Sequence, residues 1–118
     1  MKPPRRSIEA APVRRGETWW VTLDPTLGAE LRKTRPAVVV TVDALNQARG
    51  TVVVVPLSTG PLTRPPLVVA APSAGADSVA VCDQVRAVDK ARLTKRIGTL
   101  SPTDLRHIEQ GLRAVLGL

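Results

Sequence analysis

Residues 51–58 read T-V-V-V-V-P-L-S, four valines in a row, then proline, leucine and serine. A short run of β-branched residues ending in a Ser-Thr-Gly turn predicts a strand over Thr51–Leu57. No polar residue alternates with the apolar ones, so both faces of the strand must be covered and it belongs at the centre of a sheet. The neighbouring segments arrange themselves around it. Ala37–Val42 (A-V-V-V-T-V) predicts a second apolar strand, joined to the first by one helical turn in D-A-L-N-Q-A. Upstream, E-T-W-W-V-T-L-D alternates as a half-buried strand does, with Trp19, Val21 and Leu23 on one face and Trp20 and Thr22 on the other. Between these lies the loop D-P-T-L-G-A-E-L-R-K-T-R, opened by Asp-Pro and carrying Gly28.

Downstream, S-T-G-P-L-T-R-P-P is a second loop, too rich in Pro and Gly for regular structure. Leu67–Ala71 and Ser78–Cys82 predict short strands, Gln84–Arg92 a strand end mixed with a turn, and Lys95–Leu100 a last strand. The C-terminus predicts a helix: Ser101 caps, Pro102 takes the first helical position, and Asp104 suits the positive end of the dipole. Leu105, Ile108, Leu112, Val115 and Leu116 recur at helical spacing as one apolar stripe. Strands followed by a closing helix point to a small α+β domain, mostly β.

The 118 residues suffice for one domain with one modest core, built from Val and Leu, since the chain has no Phe or Tyr and only two Trp. Its net charge of +7 is unevenly spread. Residues 1–15 hold Lys2, Arg5, Arg6, Arg14 and Arg15 against Glu9 alone; the remaining chain carries 12 basic and 9 acidic residues. Residues 1–13 are polar, basic and Pro-rich and are expected to form a disordered arm, with residues 14–118 as the folded domain and order beginning near Gly16. A basic surface favours polyanions, without choosing between nucleic acid and an acidic protein. For the arm itself, a plain solvated tail is preferred to a nucleic-acid tether. Cys82 is the only cysteine, which excludes an intrachain disulfide and a cysteine-based zinc site. No stretch has the length and hydropathy of a membrane span and no secretory signal is recognisable, so a cytoplasmic protein is expected.

Several chemistries are excluded outright. His107 is the only histidine and falls in the predicted helix, so a His pair is impossible and a Ser–His–Asp triad would have to recruit that residue. There is no HExxH, Walker A or GxGxxG motif, and the carboxylates are scattered, so neither a metal nor another cofactor is expected. The remaining polar groups concentrate in the two loops: Glu30, Arg32, Lys33 and Arg35 in the first, Ser58 and Thr59 at the head of the second. If the strands from Ala37 and Thr51 pair antiparallel, Arg35 and Ser58 come to one sheet edge, within reach of one phosphate. Arginine matches phosphate oxygens with a charge that burial does not remove, and a serine hydroxyl can orient a phosphate or an attacking hydroxyl. RNA carries its own nucleophile in the 2′-OH, so stabilising the phosphorane charge suffices for cleavage without metal. On spacing alone a plainer account is preferred, in which Arg35 pairs with Glu30 and Ser58 only turns the chain.

Four motifs shift that balance. R-R-G-E-T-W-W-V-T-L-D-P-T-L-G-A-E, R-P-A-V-V-V with V-V-V-V-P-L-S-T, D-S-V-A-V-C-D-Q-V-R-A-V-D-K-A-R-L, and I-G-T-L-S-P-T-D-L resemble, in order, the motifs of the MazF/PemK (Kid) toxin family. The resemblance runs from about Arg14 to the C-terminus. It implies an SH3-like small barrel of the CcdB/Kid/MazF type with a C-terminal helix, assembled as a homodimer. It also implies the toxin of a bacterial type II toxin–antitoxin pair, a metal-independent endoribonuclease acting on single-stranded RNA, with a small acidic antitoxin as partner. The family's catalytic arginine falls on Arg35, its strand-ending hydroxyl on Ser58 and its glutamate on Glu30; Ala29 stands where the family usually has serine. The roles implied are phosphorane stabilisation and proton delivery for Arg35, positioning for Ser58 and general base for Glu30. Arg32 and Lys33 would attract the RNA backbone, Gln84 would read a base edge, and Thr59 stands in reserve for Ser58. Two rivals share the fold: a CcdB-like gyrase poison, against which stands the lack of that protein's C-terminal aromatic signature, and a non-catalytic RNA- or antitoxin-binding member.

Overall fold

The computed structural model describes residues 12–23 and 34–118. Seven strands are present among them: β1 (Glu17–Thr22), β2 (Thr34–Val39), β3 (Thr51–Ser58), β4 (Val68–Ala70), β5 (Val79–Val81), β6 (Arg86–Asp89) and β7 (Leu93–Thr99). Helix α1 (Asp43–Ala48) joins β2 to β3, and α2 (Pro102–Leu116) closes the chain. All pairings are antiparallel, in the order β4-β5-β3-β2-β1-β7, with β6 added on β3. The fold is thus a mostly β antiparallel domain with a C-terminal helix, as the sequence predicts.

The valine run of β3 occupies the central position its composition requires. One side pairs with β2; on the other, Thr51–Val54 pair with β6 and Leu57–Ser58 with β5. Pro56, which can donate no ladder hydrogen bond, falls in the gap where β3 passes from one partner to the next, the kind of break at which a strand tolerates proline. The alternation of β2 and β3 feeds two cores. Ala37, Val39, Val52 and Val54 join Trp19, Val21 and Leu23 in the first. Val38, Val55 and Leu57 join Cys82, Leu100 and Ile108 in the second, under α2.

Several boundaries move. The strand expected from Ala37 starts at Thr34, because β1 supplies partners for its leading residues, Thr22 opposite Thr34 and Val21 opposite Arg35. Its end retreats to Val39, and Asp43 starts α1. Val13, expected in the arm, is 4% exposed and packs in the first core. Order therefore begins upstream of Gly16: the Arg15 amide donates to Asp43 Oδ1 (2.6 Å), and its guanidinium donates to the Val40 carbonyl (3.0 Å) and to Glu109 on α2 (2.5 Å). The last strand starts at Leu93 instead of Lys95, because Leu93 pairs with Val21 and is buried. On α2, Leu105, Ile108, Leu112 and Val115 pack on the second core, whereas Leu116 is exposed; one residue past Val115 lies about 100° round the helix. Residues 1–11 of the expected arm, and Glu30, Arg32 and Lys33, lie outside the described residues.

The start of α2 is fixed as the sequence predicts, with an addition. Ser101 Oγ accepts from the Asp104 amide (3.1 Å) and Pro102 fills the first turn. Asp104 is buried and in turn accepts from the Ser73 amide (2.7 Å) and Ser73 Oγ (2.5 Å), while the Ser101 amide donates to Ser73 Oγ (3.0 Å). A buried carboxylate that accepts two hydrogen bonds ties the helix to the turn between β4 and β5.

Two tests address these contacts. In an open helix Gly111→Ala would gain about 1 kcal/mol of helix propensity. Here a Cβ would stand 2.8 Å from Cys82 Sγ and 3.0 Å from the Pro66 carbonyl oxygen. Overpacking of this kind costs about 1–3 kcal/mol, and a backbone oxygen cannot swing aside. The urea midpoint should therefore fall in Gly111→Ala and hold in Gly50→Ala, where nothing lies within 4 Å of the new atom; equal midpoints would contradict the close helix seat. Second, the Arg15 amide beside Asp43, aided by Asn46, holds the Asp43 carboxyl below its ordinary value of 3.8. A depressed folded-state pKa contributes stability that is present above the unfolded value and lost as pH falls through the folded one. Asp43→Asn should accordingly flatten the acid limb of stability from about pH 4 downward, measured as urea midpoint against pH; an unchanged limb would count against this contact.

Candidate active site

Arg35 enters the sheet already extended, because the residue before a proline is barred from helical geometry and Pro36 follows it. Pro36 lies opposite Trp20 on β1, and Arg35 itself opposite Val21. Across the other edge of β2, Ala37 faces Pro56 and Val38 faces Val55. Two more steps in that register bring Arg35 level with Ser58, the last residue of β3. The antiparallel pairing assumed from the sequence is the one observed. Ser58 is half-buried and also faces Val79 of β5, and its Oγ accepts a long hydrogen bond from the Gly60 amide (3.4 Å).

Side-chain alternation then decides what faces what. Arg35 shares the face of Ala37 and Val39, and Ser58 that of Val52, Val54 and Pro56, so both stand at the open end of the first core. Arg86 does the same from β6: it lies opposite Val54, two residues before the buried Val88. The result is a cleft of about 490 Å³ with Leu23 and Pro56 in its wall and Arg35, Ser58, Gln84 and Arg86 as its polar groups. Gln84 reaches it from the 3₁₀ turn Cys82–Gln84 that leads into β6. Among the described residues, the ion pairs are Arg15–Glu109 and Arg96–Glu17, so neither Arg35 nor Arg86 is neutralised by a described carboxylate.

Of the residues singled out in the sequence, Arg35, Ser58 and Gln84 meet in this cleft. Thr59 lines a separate recess next door, which shares Pro61 with the cleft. The plainer pairing of Arg35 with Glu30 involves a residue outside the described ones. Arg86 was not singled out. The signal lay in R-A-V-D: a strand there puts Arg86 on the face of Val88 and hence over the first core. His107 is exposed on α2 and lines a different depression with Pro65, Val69 and Gly111. Cys82 is fully buried, and burial pushes its thiol up to about 11, so it is an inert packing group and no nucleophile.

The cleft offers guanidinium forks for phosphate oxygens, a hydroxyl level with one of them, and an amide that can both donate and accept. Residues 14–116 match the family of PemK-like, MazF-like toxins of type II toxin–antitoxin systems. A relative named endoribonuclease MazF9, from Mycobacterium tuberculosis, is 35% identical over 115 residues, spanning 90% of this chain and 98% of the relative. In fold, the chain is similar to a MazE–MazF crystal structure from Deinococcus radiodurans (TM-score 0.79, 23% identity, 92% of this chain and 99% of that one). It is also similar to an endoribonuclease in complex with its cognate antitoxin from a mycobacterial species (TM-score 0.72, 24% identity, 89% and 95%). With a family match spanning nearly all of the chain and a relative of this identity, the protein belongs to the PemK-like, MazF-like family of type II toxin–antitoxin toxins.

Proposed function

We propose that the chain is an endoribonuclease toxin that cleaves single-stranded RNA at a short sequence, without a metal, and is held in check by an acidic antitoxin. The observation that carries this reading is the cleft that Arg35, Ser58 and Arg86 line together, with neither arginine neutralised by a described carboxylate. The 2′-OH attacks the adjacent phosphorus, the bond to the 5′-oxygen breaks, and the products are a 2′,3′-cyclic phosphate and a 5′-hydroxyl. Arg35 stabilises the charge that builds on the pentacovalent phosphate and delivers a proton to the leaving 5′-oxygen. Ser58 positions the scissile phosphate or the 2′-OH. The base cannot be arginine, whose pKa exceeds about 12; Glu30 takes the 2′-OH proton. Arg86 holds a neighbouring phosphate, Gln84 meets a base edge, and Arg32 and Lys33 draw in the RNA backbone. An acidic antitoxin segment satisfies the same cations that RNA does, so antitoxin and substrate compete. The working unit is a homodimer.

The test is cleavage of a long single-stranded RNA in EDTA, with the ends mapped. Arg35→Ala should lower the rate by about 100-fold or more, the worth of a preorganised charge-stabilising donor. Ser58→Ala should lower it by about 10- to 100-fold, the worth of one hydrogen bond to a charged group. Arg86→Ala should act on binding, reducing the slope of log K against log salt by about 0.7 for one lost phosphate contact. Arg35 and Arg86 are exposed, so thermal melts should stay near wild type. Intact RNA together with inhibited gyrase supercoiling would overturn this reading in favour of the gyrase poison.

A further inference from the structure

We propose that the recess beside the Arg35–Ser58 cleft is a nucleobase subsite, and that Asp77 sets which base it accepts. The proposal rests on the reading of the cleft as an RNA-cleaving site. Pairing of Ser58 with Val79 runs the chain leaving β3 alongside the chain entering β5, so Thr59 comes level with Ser78. Between them opens a recess of about 510 Å³, lined by Thr59, Pro61, Leu62, Asp77 and Ser78 among others. Its volume lies within the range of about 300–1,000 Å³ typical of small-molecule sites. Pro61 lines both the recess and the cleft, so the two adjoin across one residue. A strand with its phosphate at Arg35 and Ser58 brings a flanking base over Pro61 into the recess.

The lining suits a base better than a second phosphate. Pro61 and Leu62 are apolar walls, and Leu62 is 88% exposed, apolar surface left uncovered at the recess. Asp77 is exposed, and among the described residues no cation pairs with it. A carboxylate repels phosphate and, being an acceptor only, selects base edges that donate. Guanine offers N1–H and N2–H side by side, one for each carboxylate oxygen. Cytosine and adenine offer one amino group each. Uracil sets its N3–H between two carbonyl oxygens that face the carboxylate with like charge. The subsite therefore favours guanine over cytosine and adenine, and disfavours uracil.

The experiment digests a single-stranded RNA library of random sequence in EDTA with wild type, Asp77→Asn and Asp77→Ala, and sequences the ends. Wild type should enrich guanine over uracil about tenfold or more at one fixed position beside the cut, the discrimination of a good bidentate base contact. Asp77→Asn, whose amide both donates and accepts, should raise uracil at that position and no other, and Asp77→Ala should flatten it. The same base profile in all three proteins overturns the subsite and leaves the nuclease reading standing. A second arm is independent of cleavage: anisotropy titration of RNA pentamers carrying a central 2′-deoxynucleotide. Tighter binding of the guanine pentamer than the uracil pentamer, lost in Asp77→Ala, supports the subsite even if the wild type cuts nothing. Equal affinities in the wild type overturn it.

Discussion

The antiparallel ladder between β2 and β3 is the constraint on which the rest of this fold depends. Both strands are apolar on both faces, so neither can sit at a solvated edge, and each must collect a second neighbour. β2 collects β1; β3 collects β6 along its first half and β5 along its second. That division of β3 bends one sheet into two surfaces and makes room for two cores instead of one. It also ends both strands at the same rim, β2 at its beginning and β3 at its finish, so the residues there are brought together by the ladder and not by a loop. The candidate site is therefore built on the most buried strands of the molecule, where position is held most tightly.

The outer elements are tied to that ladder by charged groups that each make more than one hydrogen bond. Glu17 is buried at the start of β1, yet one carboxylate oxygen accepts from Trp19 Nε1 (3.0 Å) and the Arg14 amide (2.9 Å), and the other from Arg96 of β7 (2.9 Å). At α2 one oxygen of Asp104 accepts from both the amide and the hydroxyl of Ser73, and Arg15 joins the N-terminal segment to both helices' neighbourhoods. A buried charge without partners would cost several kcal/mol. These carboxylates escape the cost because backbone amides, with a guanidinium for Glu17 and a hydroxyl for Asp104, donate to them, and they fix orientations that a core of valines alone would leave loose. Arg15 and Arg96 have carboxylate partners and Arg92 donates to the Thr22 carbonyl (3.1 Å), while Arg35 and Arg86 have no described carboxylate partner.

How much of this was legible in the sequence follows from which signals are local. The valine run announced the central strand because its composition has only one good solution, and the cap Ser101–Pro102–Asp104 announced α2 because capping is a matter of adjacent residues. The meeting of Arg35, Ser58 and Gln84 was half legible: the strands could be read, but their pairing had to be assumed before the rim existed. What escaped was set by partners distant in the chain. β2 begins at Thr34 because β1 lies beside it, Val13 is buried because the first core has space for it, and Asp104 is more than a dipole residue because Ser73 sits across from it. Arg86 escaped for a related reason: the alternation in R-A-V-D becomes a signal only once that short segment is known to be a strand paired with β3.

Electrostatics then explains why such a rim needs arginine. At the mouth of an apolar core, the wall formed by Leu23 and Pro56 lowers the polarisability around whatever binds, which strengthens attraction to a bound anion. The same surroundings would press a lysine toward its neutral form, whereas a guanidinium keeps its charge. Two such groups on one rim are tolerated because both are exposed to water. A phosphate bound there, as proposed, would exchange that water for charge-assisted hydrogen bonds. On the proposed reading, an acidic peptide would benefit at these arginines on the same terms as RNA. Discrimination between the two cannot come from these cations. On the proposed reading it would come from the groups beside them that a peptide carboxylate cannot satisfy, of which the carboxylate of Asp77 is the plainest.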